Sequence, residues 1–407
     1  MIENIDKMNG WKIEELPNLV FFQEGPGVRN NQYTDSGVKL LNVANLKGGN
    51  IYLDNTDRYI SEEEAYGKYS HFLVGEGDLI IASSGIKVEY FDKKMGFAKK
   101  EHLPLCMNTS TIRFKTLDDD ILDIEYFAYF LKTNYFKKQI SRLITGSAQL
   151  NFGPSHLKQI KVILPPRDVQ KKIVEVLDKV EGLIDKKKAQ IEALDELVKS
   201  RFIEMFGNPI TNPMGWEKLN INSKFEVRTG STPNRKISEY WVNGDIPWVK
   251  TTELKEIIIK QTEEYITKEA YDNSSLTLLP KNTLLIAMYG QGKTRGMTGK
   301  LGIRATTNQA CASILPNDEE NMDFIWNQLK LLYEDLRNLG RGGSQPNLNT
   351  NLIKSYKIIF PPIELQNQFA EFVIQVNKLK FEMEKSLKQL EDNFNSLMQK
   401  AFKGELF

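Results

Sequence analysis

Cysteine and histidine are nearly missing from this chain of 407 residues, which has only Cys106, Cys311, His71, His102 and His156. No CxxC occurs and no histidines stand at ligand spacing, so the sequence supports neither a disulfide framework nor a metal site. Sparse cysteine fits a reducing cytosol. No apolar run approaches the roughly 20 residues that a membrane helix needs. The opening Met1-Ile2-Glu3-Asn4-Ile5-Asp6 shows no signal-peptide pattern, so a cytoplasmic protein without a membrane partner is expected. An excess of one charge is missing too: 54 Lys and Arg stand against 53 Asp and Glu, a net charge of +1. Dedicated nucleic-acid binders are often far more basic, so bulk charge counts mildly against that class. Catalytic signatures are also lacking. There is no GxSxG, no HExxH and no nuclease carboxylate cluster, and Glu253-Leu254-Lys255 reads as a solvated turn.

What the chain does have is itself, twice. Trp11-Lys12-Ile13 returns as Trp216-Glu217-Lys218. Gly77-Asp78-Leu79-Ile80-Ile81-Ala82 returns as Asn282-Thr283-Leu284-Leu285-Ile286-Ala287. The closest match sets Ile163-Leu164-Pro165-Pro166-Arg167-Asp168-Val169-Gln170 against Ile359-Phe360-Pro361-Pro362-Ile363-Glu364-Leu365-Gln366. A duplicated chain can present two similar surfaces about a pseudo-twofold axis, which suits a target that comes in two halves.

Each repeat opens with a strand-rich part. Leu40-Leu41-Asn42-Val43, residues 78–82 and 110–114, and in the second copy residues 246–249, 283–287 and 310–314, read as short strands punctuated by Gly, Asn and Asp. Aromatic and leucine-rich stretches at 124–143 and 323–339 read as helices whose aromatic side chains pack the core. Residues 284–316 carry Lys293, Arg295, Lys300 and Arg304 with no acidic residue. The matching 79–100 carries Lys87, Lys93, Lys94, Lys99 and Lys100 against Glu89 and Asp92. Recurrence at equivalent places points to a phosphate-facing surface.

Each repeat closes with a long helix opened by a Pro-Pro pair. Pro166 and Pro362 suit the first helical position, and Asp168 and Glu364 sit where the helix dipole favours negative charge. Ile173, Leu177, Val180, Ile184, Lys187, Ile191, Leu194 and Val198 step alternately by four and three. Phe369, Val373, Val376, Lys380, Met383, Leu387, Leu390 and Phe394 do the same in identical register. That spacing is a coiled-coil seam, and one lysine in each seam would fix register. Each helix of about 40 residues would run roughly 60 Å. The seams predict an antiparallel pair, since each helix alone would leave a wet apolar stripe. Phe206-Gly207-Asn208-Pro209 stops the first helix, and the second runs to Phe402. The fold class is therefore α+β: two mixed α/β domains in pseudo-twofold repeat, separated by an antiparallel two-helix coiled coil. Their expected bounds are 1–164 and 208–360 for the mixed domains, and 165–207 and 361–407 for the helices.

Two motifs fall short of catalysis. Tyr289-Gly290-Gln291-Gly292-Lys293-Thr294 invites comparison with a phosphate loop, but GxxxxGK[ST] would need glycine where Ala287 stands. A glycine-rich turn presenting Gln291, Lys293 and Arg295 to a partner is the better reading, with a nucleotide site as the alternative. The Pro-Pro pairs lack the preceding Asn or Asp of the amino-methyltransferase motif.

With these pieces assembled, the chain resembles the specificity subunits of type I restriction-modification enzymes. The resemblance rests on Thr145-Gly146-Ser147-Ala148-Gln149-Leu150-Asn151, Leu157-Lys158-Gln159-Ile160, Ile163-Leu164-Pro165-Pro166 and Gln170, repeated as Gly342-Gly343-Ser344-Gln345-Pro346-Asn347-Leu348-Asn349, Ile353, Ile358-Ile359-Phe360-Pro361-Pro362 and Gln366. It implies that each mixed domain is a target recognition domain reading one half of a bipartite double-stranded DNA site. It implies a non-catalytic chain whose helices set the gap between halves and dock two adenine methyltransferase subunits, and through them ATP-dependent restriction subunits. S-adenosylmethionine, ATP and magnesium would belong to those partners, with no cofactor or metal in this chain. A coiled-coil adaptor without DNA contact is the alternative among binding proteins. Direct readout needs polar side chains on loops that reach the major groove. In the first domain Asn45, Lys47, Ser83, Ser84, Lys87, Ser147 and Gln149 are the candidates. In the second they are Lys250, Thr252, Tyr289, Gln291, Lys293, Arg295, Arg341, Ser344 and Gln345.

Overall fold

A computed structural model describes residues 10–54, 56–144, 150–290, 292–340 and 347–406. Two compact units emerge, one formed by Met1–Lys186 with Leu387–Phe407 and the other by Lys187–Ser386. The predicted strands are present. In the first unit Val20–Glu24, Thr111–Thr116, Leu79–Ala82 and Met95–Phe97 lie side by side in that order, all antiparallel. Leu79–Ala82 is central and buried along its length, which explains its unbroken apolar sequence where an edge strand would alternate. A second sheet orders Leu105–Met107, Val38–Leu41 and Tyr59–Ile60, the first pair parallel and the second antiparallel. Lys12–Glu15 pairs antiparallel with Lys161–Leu164 to close the unit.

The second unit repeats this plan. Val227–Thr229, Cys311–Ile314, Leu284–Ala287 and Thr298–Leu301 take the same spatial order, with Ile258–Ile259 added parallel at the edge. Thr306–Thr307, Ile246–Val249 and Glu264–Ile266 form the parallel-then-antiparallel sheet. Lys218–Asn220 pairs with Lys357–Ile359.

The expected helices at 124–143 and 323–339 are each broken in two. Thr133 ends Ile124–Lys132, and its hydroxyl accepts from Phe136 N at 3.2 Å to start Asn134–Leu143. In the second unit Met322–Leu331 gives way at Leu332 to Tyr333–Asn338. Threonine suits the cap because its hydroxyl satisfies an N–H that the helix start leaves unpaired.

The long helices run Arg167–Phe206 and Ile363–Ala401, so each starts one residue after the second proline. Pro166 and Pro362 are caps and not first helical residues: their carbonyls accept from Gln170 N and Gln366 N at 3.0 and 3.2 Å. Gly207, at a φ of 73°, closes the first helix in the left-handed conformation that glycine tolerates. Every seam position named above is buried or half-buried.

Within each unit the helices pair antiparallel. In the first, Ile173, Val174 and Leu177 share a core with Met398, Ala401 and Phe402, so one helix's start meets the other's end. In the second, Phe202 and Phe206 lie 5.4 and 5.7 Å from Phe369, while Asp195 holds Lys380 Nζ at 2.6 Å. The seam lysine Lys380 thus has a carboxylate on the opposite helix. An ion pair this exposed adds little stability, so its role is to fix register.

Equivalent contacts fasten the mixed part to the helices. Phe402 stacks on Tyr126 at 5.0 Å in the first unit, and Phe206 meets Phe324 edge-on at 4.8 Å in the second. Gln170, fully buried, accepts from Asp123 N at 2.8 Å and donates to Ile121 O and Pro165 O. Gln366 accepts from Asn321 N at 2.9 Å and donates to Pro361 O and Glu320 Oε2. The glutamine of each Pro-Pro motif is therefore a buried latch between the helix start and the preceding domain. Replacing Gln366→Ala strands a buried N–H and carbonyl, which should cost about 1–3 kcal/mol. Urea denaturation should show a lower midpoint at unchanged slope, and an unaltered midpoint would refute the latch.

Candidate functional site

At one end of the central strands of each main sheet the loops are knotted together by backbone hydrogen bonds, and the knot is the same in both units. Ser83 N donates to Ser110 O at 2.8 Å, Phe152 N to Ser83 O at 3.0 Å, and Asn108 N to Leu41 O at 3.1 Å. In the second unit Met288 N donates to Ala310 O at 2.8 Å, Leu348 N to Met288 O at 3.0 Å, and Asn308 N to Val249 O at 3.0 Å. A glycine completes each knot. A Cβ on Gly25 would fall 2.2 Å from Asn108 O, and one on Gly230 would fall 1.9 Å from Thr307 O. Only glycine lets the first loop lie this close to its neighbour. Because backbone groups make the knot, the side chains on these loops can differ without loosening it.

The candidate residues gather around these knots, with exceptions. Asn45 is 4% exposed; its carbonyl oxygen accepts from Asn42 N at 2.9 Å and its amide donates to Tyr52 O and Thr56 Oγ1. It shapes the turn that carries Lys47 and does not itself lie on a surface. Ser83 is wholly buried within the knot. The two differ in cause: the Asn45 amide serves the loop's own backbone, whereas Ser83 is held by its backbone N–H and carbonyl and its hydroxyl is buried without a hydrogen-bond partner. Lys47 and Lys87 are exposed and Ser84 is half-buried. In the second unit Thr252 and Lys293 are exposed, Tyr289 is 40% exposed and Arg295 is half-buried. Ser147, Gln149, Gln291, Arg341, Ser344 and Gln345 lie outside the described residues.

Charge is distributed less simply than the sequence implied. Lys300 does not face outward: it is 6% exposed, and its ammonium reaches Asp323 at 2.5 Å beneath Trp326. Lys250 bonds Glu264 at 2.8 Å and Glu263 at 2.9 Å, and these carboxylates raise its pKa and hold its charge on. Glu253 is buried and not a solvated turn residue, accepting from Lys250 N at 2.8 Å and Glu263 N at 3.0 Å.

Sequence reasoning missed Arg235. Its guanidinium carbon lies 3.6 Å from the Trp241 ring centre and 4.7 Å from that of Trp248, and it pairs with Glu264. Thr232 also bonds Gln309 beside the same glycine loop. The signal that could have found this end was the shared asparagine of Met107-Asn108-Thr109-Ser110 and Thr307-Asn308-Gln309-Ala310, each placed just before a strand.

Two chemistries lose ground on geometry. The loop at 290–296 joins Leu284–Ala287 to the antiparallel Thr298–Leu301, whereas a phosphate loop leads from a strand into a helix. Burial pushes the Cys106 thiol up to about 12 and raises that of Cys311 further, so neither is a ready thiolate nucleophile.

The profile of the family described as "Type I restriction modification DNA specificity domain" matches residues 8–194 and again 213–392. The chain belongs to this family. Among curated relatives, the type I restriction enzyme MjaIX specificity subunit of Methanocaldococcus jannaschii is 32% identical over 39% of this chain and 37% of its own length. The EcoKI specificity subunit of Escherichia coli K12 is 21% identical over 98% of this chain and 89% of its own. Thus the alignment spans less than two-thirds of the first relative and most of the second. A crystal structure of a type I restriction-modification S subunit from M. genitalium shares the fold at a TM-score of 0.52 and 17% identity, covering 96% of both chains.

Buried and exposed polar loop residues of the specificity-domain fold should separate experimentally. Asn45→Ala should lower stability by about 1–3 kcal/mol, because its carbonyl and amide serve buried backbone. Lys47→Ala should change it by less than about 0.5 kcal/mol. Thermal melts of the two variants check this, and equal midpoints would contradict the placement of Asn45.

Proposed function

We propose that this chain is the non-catalytic DNA-reading subunit of a type I restriction-modification complex, each unit holding one half of a bipartite duplex site with its knotted loop end. The observation that carries the reading is the recurrence of one backbone knot under two different sets of loop side chains. A constant frame with exchangeable side chains is what reading two unlike half-sites by one geometry requires. Exposed Lys47, Lys87 and Lys293 then face phosphate, and Ser84, Thr252, Tyr289 and Arg295 are the described candidates for base edges.

On this reading residues 1–164 and 208–360 are the recognition domains, and 165–207 and 361–407 are the spacer helices. The helices also dock methyltransferase subunits, two by the repeat, which bring S-adenosylmethionine and methylate adenine. ATP-dependent restriction subunits join through them, with magnesium in those partners. The relatives' printed names, which call them specificity subunits, support this assignment. A cytoplasmic setting goes with it.

The test is binding of the chain, assembled with its methyltransferase subunit, to cognate and unrelated duplexes over a range of salt. Preference for one duplex supports the reading, and equal binding to all sequences overturns it. If Lys293 holds phosphate, Lys293→Ala should weaken every duplex alike and reduce the salt slope by about one. An unchanged slope would remove it from the interface. A heptad inserted after Ala189 keeps the seam in phase and adds roughly 10 Å of helix, about three base pairs of DNA. Methylation mapping should then show the same half-site bases at an altered gap; altered bases at the old gap would contradict the spacer role.

A further inference from the structure

Neither knot fixes the tip of the hairpin loop that carries the basic candidates, residues 290–296 in the second unit and 83–94 in the first. Something else must hold each tip if it is to meet DNA in one conformation, because a mobile loop loses conformational entropy on binding. In both units that hold comes from the second helix after the sheet, yet the chemistry differs.

In the second unit Tyr333 Oη donates to Lys293 O at 2.6 Å. Arg337 donates from one guanidinium nitrogen to Gly292 O at 2.9 Å and from the other to Tyr333 Oη at 2.7 Å. The Cβ position of Gly296 lies 2.8 Å from Arg337 Cγ, so the far end of the loop is pressed against the same side chain. Gly290, Gly292 and Gly296 have φ values of 142°, 60° and 83°, a path open to the chain only through glycine. Two consecutive carbonyls are thereby turned toward the helix while the Lys293 side chain is left exposed. The first unit uses an apolar plug. Phe91 is fully buried, with its ring 5.3 Å from Phe136 and 6.1 Å from Phe152, and Lys137 bonds Asp92 at 3.0 Å.

We infer that Arg337 and Tyr333 are positioning residues for sequence discrimination at the half-site read by the second unit, acting through the carbonyls of Gly292 and Lys293 without touching DNA. The inference rests on the DNA-reading function proposed above and adds to it a residue pair that sets specificity indirectly. Arg337 suits the task because its planar fork spans two acceptors, whereas lysine can offer only a point charge.

The test uses the full chain with its methyltransferase subunit. Affinities are measured for the cognate duplex and for duplexes altered by one base pair in one half or the other, alongside the thermal midpoint. Arg337→Ala should reduce discrimination roughly tenfold at one half-site and leave the other unchanged. Tyr333→Phe removes a single hydroxyl from a half-buried ring, so its fold survives; it should show the same one-sided loss, smaller in size. Arg337→Lys should recover part of the loss by restoring a cationic donor toward Gly292 O. A merely structural role would lower the thermal midpoint or both half-sites together, and that result overturns the proposal. So does full discrimination at both halves in Arg337→Ala and Tyr333→Phe. A wild-type complex that binds every duplex alike overturns the DNA-reading function itself, a failure distinct from that of the variants.

Discussion

The structure depends on a constraint of completion: each unit's core is finished by a helix end that arrives from the other half of the chain. Phe402 and Met398 enter the core of the first unit, far in sequence from Tyr126 and Ile173. Phe202 and Phe206 enter that of the second, against Phe324 and Phe369. Phe402, Phe202 and Phe206 are large buried aromatic side chains, the costliest kind to leave in water. Each core thus includes residues from outside its own repeat, and each long helix contributes to both units. Within the second unit the Lys380–Asp195 contact sets the register of that pairing, and in each unit a glutamine latch ties a helix start to the domain before it.

On that scaffold the loops are divided by function. Their backbone atoms hold the frame, through equal hydrogen bonds around Ser83 and Met288 and through glycine contacts at Gly25 and Gly230. Their side chains are then available for variation. At the hairpin tips side chains make the hold instead: Phe91 on the loop packs on Phe136 of the helix in one unit, and Tyr333 and Arg337 on the helix bond loop carbonyls in the other. Under the proposed function this separation is useful, since a side chain that both holds the fold and reads a base could not be exchanged freely.

How much of this was legible in the sequence depended on the length of the pattern. The seam from Ile173 to Val198 and its copy from Phe369 to Phe394 could be read residue by residue, because burial at a 4-3 spacing leaves a long periodic trace. The short strands could be placed to within a residue or two by their apolar runs and flanking Gly, Asn and Asp. Single polar residues could not be placed. Asn45, Glu253 and Lys300 looked like loop or surface groups and proved to be buried partners of backbone N–H groups or a carboxylate. Polarity says that a side chain needs a partner, and only the fold says whether that partner is water, backbone or DNA. Arg235 went unnoticed for the converse reason, since its tryptophan partners come together only in three dimensions.

The most direct measurement is genomic methylation mapping in a host given this chain and its methyltransferase subunit. The account predicts a methylated motif made of two short specified sequences separated by a fixed stretch of unspecified bases, absent when this chain is withheld. A single uninterrupted motif, or methylation that persists without the chain, would contradict it.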